Sequence, residues 1–344
     1  MSRALFWPLS LVVLVALAVL HVVTGSVDLT PSEVWAALTL RPTEPLHAQI
    51  VTGLRLPRAL VALTAGAMLG TAGAILQIIT RNPLAEPGLT GVSSGAVLAI
   101  VLALLSGAGS ADGGVTLALW GIGGGMAAGL LTHVLALSRG RTHVLRLILM
   151  GVLVSAVLSA LTTVALLGAR ETEIHRILRW TVGSTNGRVW LHVRMILPWA
   201  VIGLFLAGLT LRPLNALHLG EETATGLGLR VECARLWLLF VASVLTAGAV
   251  AVVGAIGLVG LIGPRMAHAI LGQDARRLVP GAAILGAGLL LTADIGARTI
   301  EIGWLLAFAG WTDAVGAGLP VGAVTALFGV PVFLWLLWRA DRSG

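Results

Sequence analysis

Long apolar runs alternate with short polar connections along almost the whole chain. A helix needs roughly 17–25 apolar residues to cross a bilayer. Runs of that kind fall near 5–23, 59–79, 89–106, 115–137, 144–168, 195–211, 236–256, 279–297 and 320–338. A shorter apolar piece, 257–271, contains Pro264 and reads as a short or broken helix. The pattern predicts an all-α polytopic membrane protein of about ten transmembrane helices, forming a single transmembrane domain over 1–344. The first run follows Arg3 and precedes small residues, as in a signal peptide. Its length exceeds the roughly 7–15 residues of a signal core, so it is read as the first span.

Glycines repeat at four-residue spacing on two of the predicted helices, Gly66 and Gly70 on one and Gly121, Gly125 and Gly129 on the other. Such small-residue stripes let helix backbones approach closely in lipid and are read as packing seams. The longest polar stretches are 24–58 and 169–194.

Composition sharpens this picture. Of the 344 residues, 57% are hydrophobic and 11% charged, far from the roughly one quarter charged of soluble domains. All 22 basic residues are arginine and none is lysine. With the N-terminus inside, thirteen arginines fall to inner segments and nine to outer ones, which favours both termini inside. The net charge of +7 is absorbed by this flanking role, and no long basic segment suggests nucleic acid. The single Cys233 excludes an intramolecular disulfide. Without lysine the chain has no P-loop, so any ATP-driven action needs an ATPase on another subunit. Asp294 lies at the outer end of its run, four residues before Arg298. It is either a structural partner of that arginine or an acid coupled to ion flow.

Three polar stretches carry candidate chemistry. "RNPLAEPGLTGVSSGA" (81–96) joins two spans on the inner side. Pro83 and Pro87 stop the helix, Gly88 and Gly91 permit tight backbone paths, and Ser93 or Ser94 suits a helix cap. "LGEETATGLGL" (219–229) reads as a short helix in an inner loop. Gly220 starts it, Glu221 and Glu222 favour its positive end, Gly228 stops it, and Ala224 and Gly226 sit on its surface. "LRLPR" (54–58) puts Arg55 and Arg58 at the outer start of the second span, where arginines also snorkel to the interface.

These stretches, with "RWTVGSTNGRVW" (179–190), the block 257–298 and "LPVGAVTALFGVPVFLWLL" (319–337), resemble in order the permeases of iron-siderophore, haem and cobalamin ABC importers of the FecCD, type II, kind. The resemblance implies a ten-helix subunit working with a second copy of itself as a homodimer in the bacterial cytoplasmic membrane. It implies two ATPase subunits on the inner face and a periplasmic or surface-tethered binding protein on the outer. It implies that Gly220, Glu221, Glu222, Ala224, Gly226 and Gly228 form the coupling helix that docks on the ATPase. Asn82 and Leu84 become cytosolic gate candidates, beside the reading of that stretch as a plain turn. Arg55, Arg58 and Arg298 become docking residues for glutamates on the binding protein. No catalytic residue, metal site or cofactor is expected on this chain; ATP and Mg would belong to the ATPase. The expected cargo is a metal chelate, foremost a ferric siderophore, with haem or cobalamin as alternatives. A secondary transporter or channel is the alternative of a different class.

The connection at 299–318 is longer than the resemblance implies. Trp304, Phe308 and Trp311 share one helical face there, flanked by Glu301 and Asp313. They predict a short amphipathic outer helix, either anchored at the interface or bordering the mouth of the path.

Overall fold

The computed structural model describes residues 3–25, 27–39, 44–108, 114–138, 141–169, 174, 177, 181–299 and 319–341. Except for Thr299, the expected outer segment at 299–318 lies outside the described residues, as do Trp304, Phe308 and Trp311.

The described chain is almost entirely helical. Helix α1 (Arg3–Val23) leads to α2 (Pro31–Leu38), which opens with a capping box. Thr30 Oγ1 accepts from the Glu33 backbone, and the Glu33 carboxylate accepts from the Thr30 N–H. Helix α3 (Pro45–Ala48) runs through a π-turn (Gln49–Arg55) into α4 (Leu56–Thr80). A 3-10 turn (Pro87–Thr90) precedes α5 (Val92–Leu105). Helix α6 (Val115–Ala136) and α7 (Val144–Leu167) flank a two-residue hairpin, β1 (Leu137–Ser138) with β2 (Arg141–Thr142). Then follow α8 (Trp190–Leu209), α9 (Leu211–His218), α10 (Glu221–Gly226) and α11 (Val231–Val253). The last three are α12 (Val259–Leu271), α13 (Ala275–Thr299) and α14 (Val321–Asp341).

Among the described residues, seven helical stretches are long and apolar enough to cross a membrane: α1, the continuous stretch Pro45–Thr80, α6, α7, α8, α11 and α13. Three shorter apolar helices, Val92–Leu105, Val259–Leu271 and Val321–Trp335, accompany them. The shortness of α5 and α12 has a local cause. Pro87 and the positive φ of Gly91 (82°) hold the chain out of helix before α5. Gly254 (φ 79°) ends α11, and helix resumes only after Leu258. At about 1.5 Å per residue each spans only about 20 Å, less than the roughly 30 Å hydrocarbon core.

Helices α4 and α11 form the buried centre, whereas α1, α7 and α8 expose most of their side chains around the outside. Without a hydrophobic drive between helices in lipid, close packing has to hold them. Gly66 and Gly70 of α4 face the backbone of Gly286 and Ala282 on α13 so closely that a Cβ would collide. Gly121, Gly125 and Gly129 of α6 likewise meet Ile100 and Val92 of α5 and Ala251, Ala247 and Ser243 of α11. Both glycine stripes are the seams their spacing predicts.

Candidate functional site

The polar groups concentrate at the two ends of α4. At its N-terminal end, Asp294 of α13 is fully buried. An ionised carboxylate removed from water needs donors on both oxygens. Arg58 supplies a fork, with Nε 2.9 Å from Oδ2 and Nη2 2.6 Å from Oδ1. His21 of α1 meets Oδ2, and the Thr185 hydroxyl donates to Oδ1. Arg298 stands farther off, 3.7 Å from Oδ2. The i, i+4 pair expected from sequence therefore exists, but the main partner of Asp294 is Arg58, which lies 236 positions away.

The three arginines expected to dock a partner converge on this cluster. Arg55 is buried and donates to the carbonyls of Val22, Val23 and Val27. Arg298 donates to the Thr24 and His21 carbonyls at 3.1 and 3.2 Å. Together they satisfy the last carbonyls of α1, which a helix C-terminus leaves unpaired, and their charge opposes its negative dipole end. The π-turn frees the Thr52 carbonyl as well, and the Trp190 indole N–H donates to it at 2.8 Å. An open cleft of about 240 Å³ remains, lined among others by Arg55, Arg58, Asn186, Arg188 and Arg298. Four arginines against Asp294 and the nearby Asp28, whose charge acts on Arg55, leave it net positive. Burial pushes the Arg188 guanidinium down to about 10, still charged at neutral pH.

At the other end of α4, Arg81 takes the left-handed conformation (φ 47°) in the position where glycine usually ends a helix. Its Nη2 reaches the Leu217 carbonyl at the end of α9, 3.0 Å away. Asn215 of α9 donates to Asp274 Oδ1 and accepts from the Ala275 N–H, fastening α9 to the start of α13. The hydrogen bonds from Asn215 and from the Arg276 N–H hold the Asp274 carboxyl below its usual range.

Helix α10 follows directly. Gly220 (φ 121°) precedes it, and Gly228 (φ 84°) follows it. The bonds Leu229 N–H to Ala224 O and Gly228 N–H to Thr225 O make a Schellman stop, as the glycine spacing predicts. One expectation is corrected. Ala224 is not on the surface of this helix but fully buried, because the stop folds Leu229 back and turns that face inward. The exposed face carries Glu222, Thr223, Thr225 and Gly226, with Glu221 half-exposed at its edge. Leu219 and Leu227 flank it, each 67% exposed in a connection outside the spans.

Asn82 and Leu84, the gate candidates, form a local turn in which Asn82 Oδ1 accepts the Leu84 N–H at 2.9 Å. Leu84 is exposed. Sequence reasoning passed over two residues nearby. Glu86 Oε1 accepts the Leu258 N–H at 2.7 Å, joining this loop to the start of α12 across 172 positions. Arg235 of α11 is buried among carboxylates. A glutamate inside a Pro/Gly loop and an arginine inside an apolar helix were the available signals. Among the described residues, no group of three or more His, Cys, Asp or Glu side chains could hold a metal ion.

A glycine-sealed helical bundle with charged networks at both ends is a polytopic membrane protein. The FecCD transport family signature matches residues 12–339, and the chain belongs to that family. It is 35% identical over 329 residues to the iron(3+)-hydroxamate import system permease protein FhuB of Bacillus subtilis (strain 168), covering 95% of this chain and 81% of that one. It is 36% identical over 344 residues to the hemin transport system permease protein HmuU of Yersinia pestis, covering 97% and 96%. A solved structure described as an inward-facing conformation of a metal-chelate type ABC transporter superposes with a TM-score of 0.80 at 29% identity, over 96% of this chain and 97% of that one. The protein is a permease of the ABC importer class.

Proposed function

We propose that this permease forms the transmembrane path of an ATP-driven importer that moves a metal chelate, foremost a ferric siderophore, across the bacterial cytoplasmic membrane. The observation that carries the reading is the α10 loop: a glycine-bounded helix between two leucines, each 67% exposed in a polar connection. Apolar side chains in such a place suit a protein partner better than water. The partner in this reading is a separate ATPase, two copies of which serve a homodimer of this chain, with ATP and Mg bound there. The seven long and three shorter apolar helices support a ten-helix subunit, whose even number puts both termini on one side, and the arginine bias favours the inside.

At the opposite end the positive cleft suits an acidic surface on a substrate-binding protein. Arg55 and Arg298 are held by backbone carbonyls at and just beyond the end of α1, so in this reading they act chiefly through their field, with Arg58 and Arg188 adding to it. The Asn82–Leu84 turn stands at the inner mouth of the path as its gate. Relatives are named for iron(3+)-hydroxamate and for hemin, and in this reading the binding protein makes the choice of chelate. A transport assay in proteoliposomes with a co-expressed ATPase and binding protein tests the reading, with iron-55 hydroxamate chelate, hemin and cobalamin as probes. ATP-dependent accumulation of the hydroxamate chelate supports it. Accumulation without any ATPase would reject it, and accumulation of hemin or cobalamin alone would reassign the cargo.

A further inference from the structure

Arg235 lies near the start of α11 with its side chain 2% exposed. Its Nη2 donates to Glu221 Oε1 of α10 at 2.6 Å. Its Nη1 donates to Glu232 Oε1 at 2.9 Å and to the Thr142 carbonyl at 2.7 Å. Glu232 Oε2 in turn accepts the Thr142 N–H at 3.0 Å. One buried guanidinium thus fastens three elements: α10, α11 and the hairpin that leads into α7. Its planar fork presents several donors at fixed angles, so no single acceptor can move away without stranding charge.

Helix α9, by contrast, is fastened to other elements. Arg81 binds its C-terminal carbonyl to the end of α4, and Asn215 binds it to the start of α13. Only Leu219 and Gly220 separate α9 from α10, and Gly220 sits at φ 121°, where side-chain-bearing residues are strained. The loop is therefore two clasped pieces with a glycine between them.

We infer that Arg235 is a positioning residue that makes α10, the N-terminal end of α11 and the α6–α7 hairpin one rigid unit, which shifts about Gly220 against α9 when the partner pulls on α10. The inference deepens the reading of α10 as the ATPase-docking helix and rests on it for the source of the force. The clasp itself stands on the contacts above. The arrangement explains why the half-exposed Glu221 leans on Arg235, whereas Glu222 beside it carries no such bond and remains for solvent or partner.

Spin-label distances test it. Cys233 is the chain's only cysteine and is exposed on α11, so it serves as one label site. Thr225→Cys on the exposed face of α10 supplies the other. In the free permease in nanodiscs, the 225–233 pair should give one narrow distance distribution. Glu221→Gln, at a half-exposed site that tolerates the change, should broaden it, whereas Glu222→Gln should not. Superimposable distributions for Glu221→Gln and wild type, or equal broadening by Glu222→Gln, would overturn the clasp. A second pair, Arg212→Cys on α9 with the native Cys233, leaves the exposed face of α10 unlabelled and reads across Gly220. In the ATPase complex trapped with ATP and vanadate, the 212–233 distance should shift from its value in the free permease. An unchanged 212–233 distance would overturn the rigid unit. An ATPase that fails to co-purify with the wild-type permease would sink the docking reading alone, because the free-permease distances still decide the clasp.

Discussion

Asp294 makes the energetics of a single side chain visible. A carboxylate with no water contact is tolerated because Arg58 grips both oxygens and His21 and Thr185 add donors. Removing one member of such a pair strands the other charge. Asp294→Asn is therefore expected to destabilise the detergent-purified permease by about 3–5 kcal/mol. A thermal unfolding midpoint that does not fall would contradict this. Arg81 poses a subtler case, since its backbone occupies a glycine conformation while its side chain holds α9. The left-handed backbone costs roughly 1–2 kcal/mol for a residue with a Cβ. The charged hydrogen bond returns about 1.5–3 kcal/mol. Arg81→Gly should therefore stay near wild-type stability, while Arg81→Ala, which keeps the strain and loses the bond, should be the weaker of the two in the same melt. Asp274 adds a pH dependence. Its folded pKa lies below the unfolded value, so its contribution is complete above the unfolded pKa, about 3.9, and is lost as pH falls through the folded one. Asp274→Asn should flatten the acid limb of the melting temperature below about pH 4, and an unchanged limb would show that the Asn215 clasp contributes nothing.

At the scale of elements, α10 is the informative piece. Its Schellman stop and leading glycine fix its ends, and its buried Ala224 fixes which face looks outward. A bulky residue at Ala224 would test folding instead of docking. Gly226 is the better probe, because it is exposed and a Cβ there meets nothing within 4 Å. Gly226→Trp should leave permease abundance unchanged and reduce recovery of the co-expressed ATPase by roughly tenfold or more, the effect of about 1.4 kcal/mol at a contact. Full recovery of the ATPase would remove this face from the docking surface. The short helices α5 and α12 make a related point. Each begins beside the other's preceding loop, and Glu86 ties those loops together through Leu258. The proline- and glycine-rich stretch after α4 is shaped by that junction as well as by its own turn.

For the whole molecule, the charge distribution separates two kinds of partner. One end of the bundle presents a cleft of arginines, and the other presents a short helix with exposed glutamates and leucines. Field-driven association depends on ionic strength, whereas apolar docking does so weakly. Association of the cognate binding protein should therefore slow steeply between low and high salt, while ATPase co-purification should vary little. Equal salt responses at the two ends would argue against this division of labour. Substituting the arginines themselves is a poorer test, because Arg55 and Arg298 also cap α1 and Arg58 holds Asp294.

The sequence by itself determined the membrane class, the positions of the apolar helices, the glycine seams and the ends of α10. Each of these follows from local rules: run length against bilayer thickness, four-residue spacing on a helix, and the glycine needed for a positive φ. Its ordered motifs also carried the family. The tertiary structure decided the partners of charged residues. Arg58 rather than Arg298 became the main partner of Asp294, Ala224 turned inward, Glu86 met Leu258, and Arg235 gathered three elements. These pairings join residues as far as 236 positions apart. A buried charge takes whichever donor the packing brings within about 3 Å, and spacing along the chain does not encode that meeting.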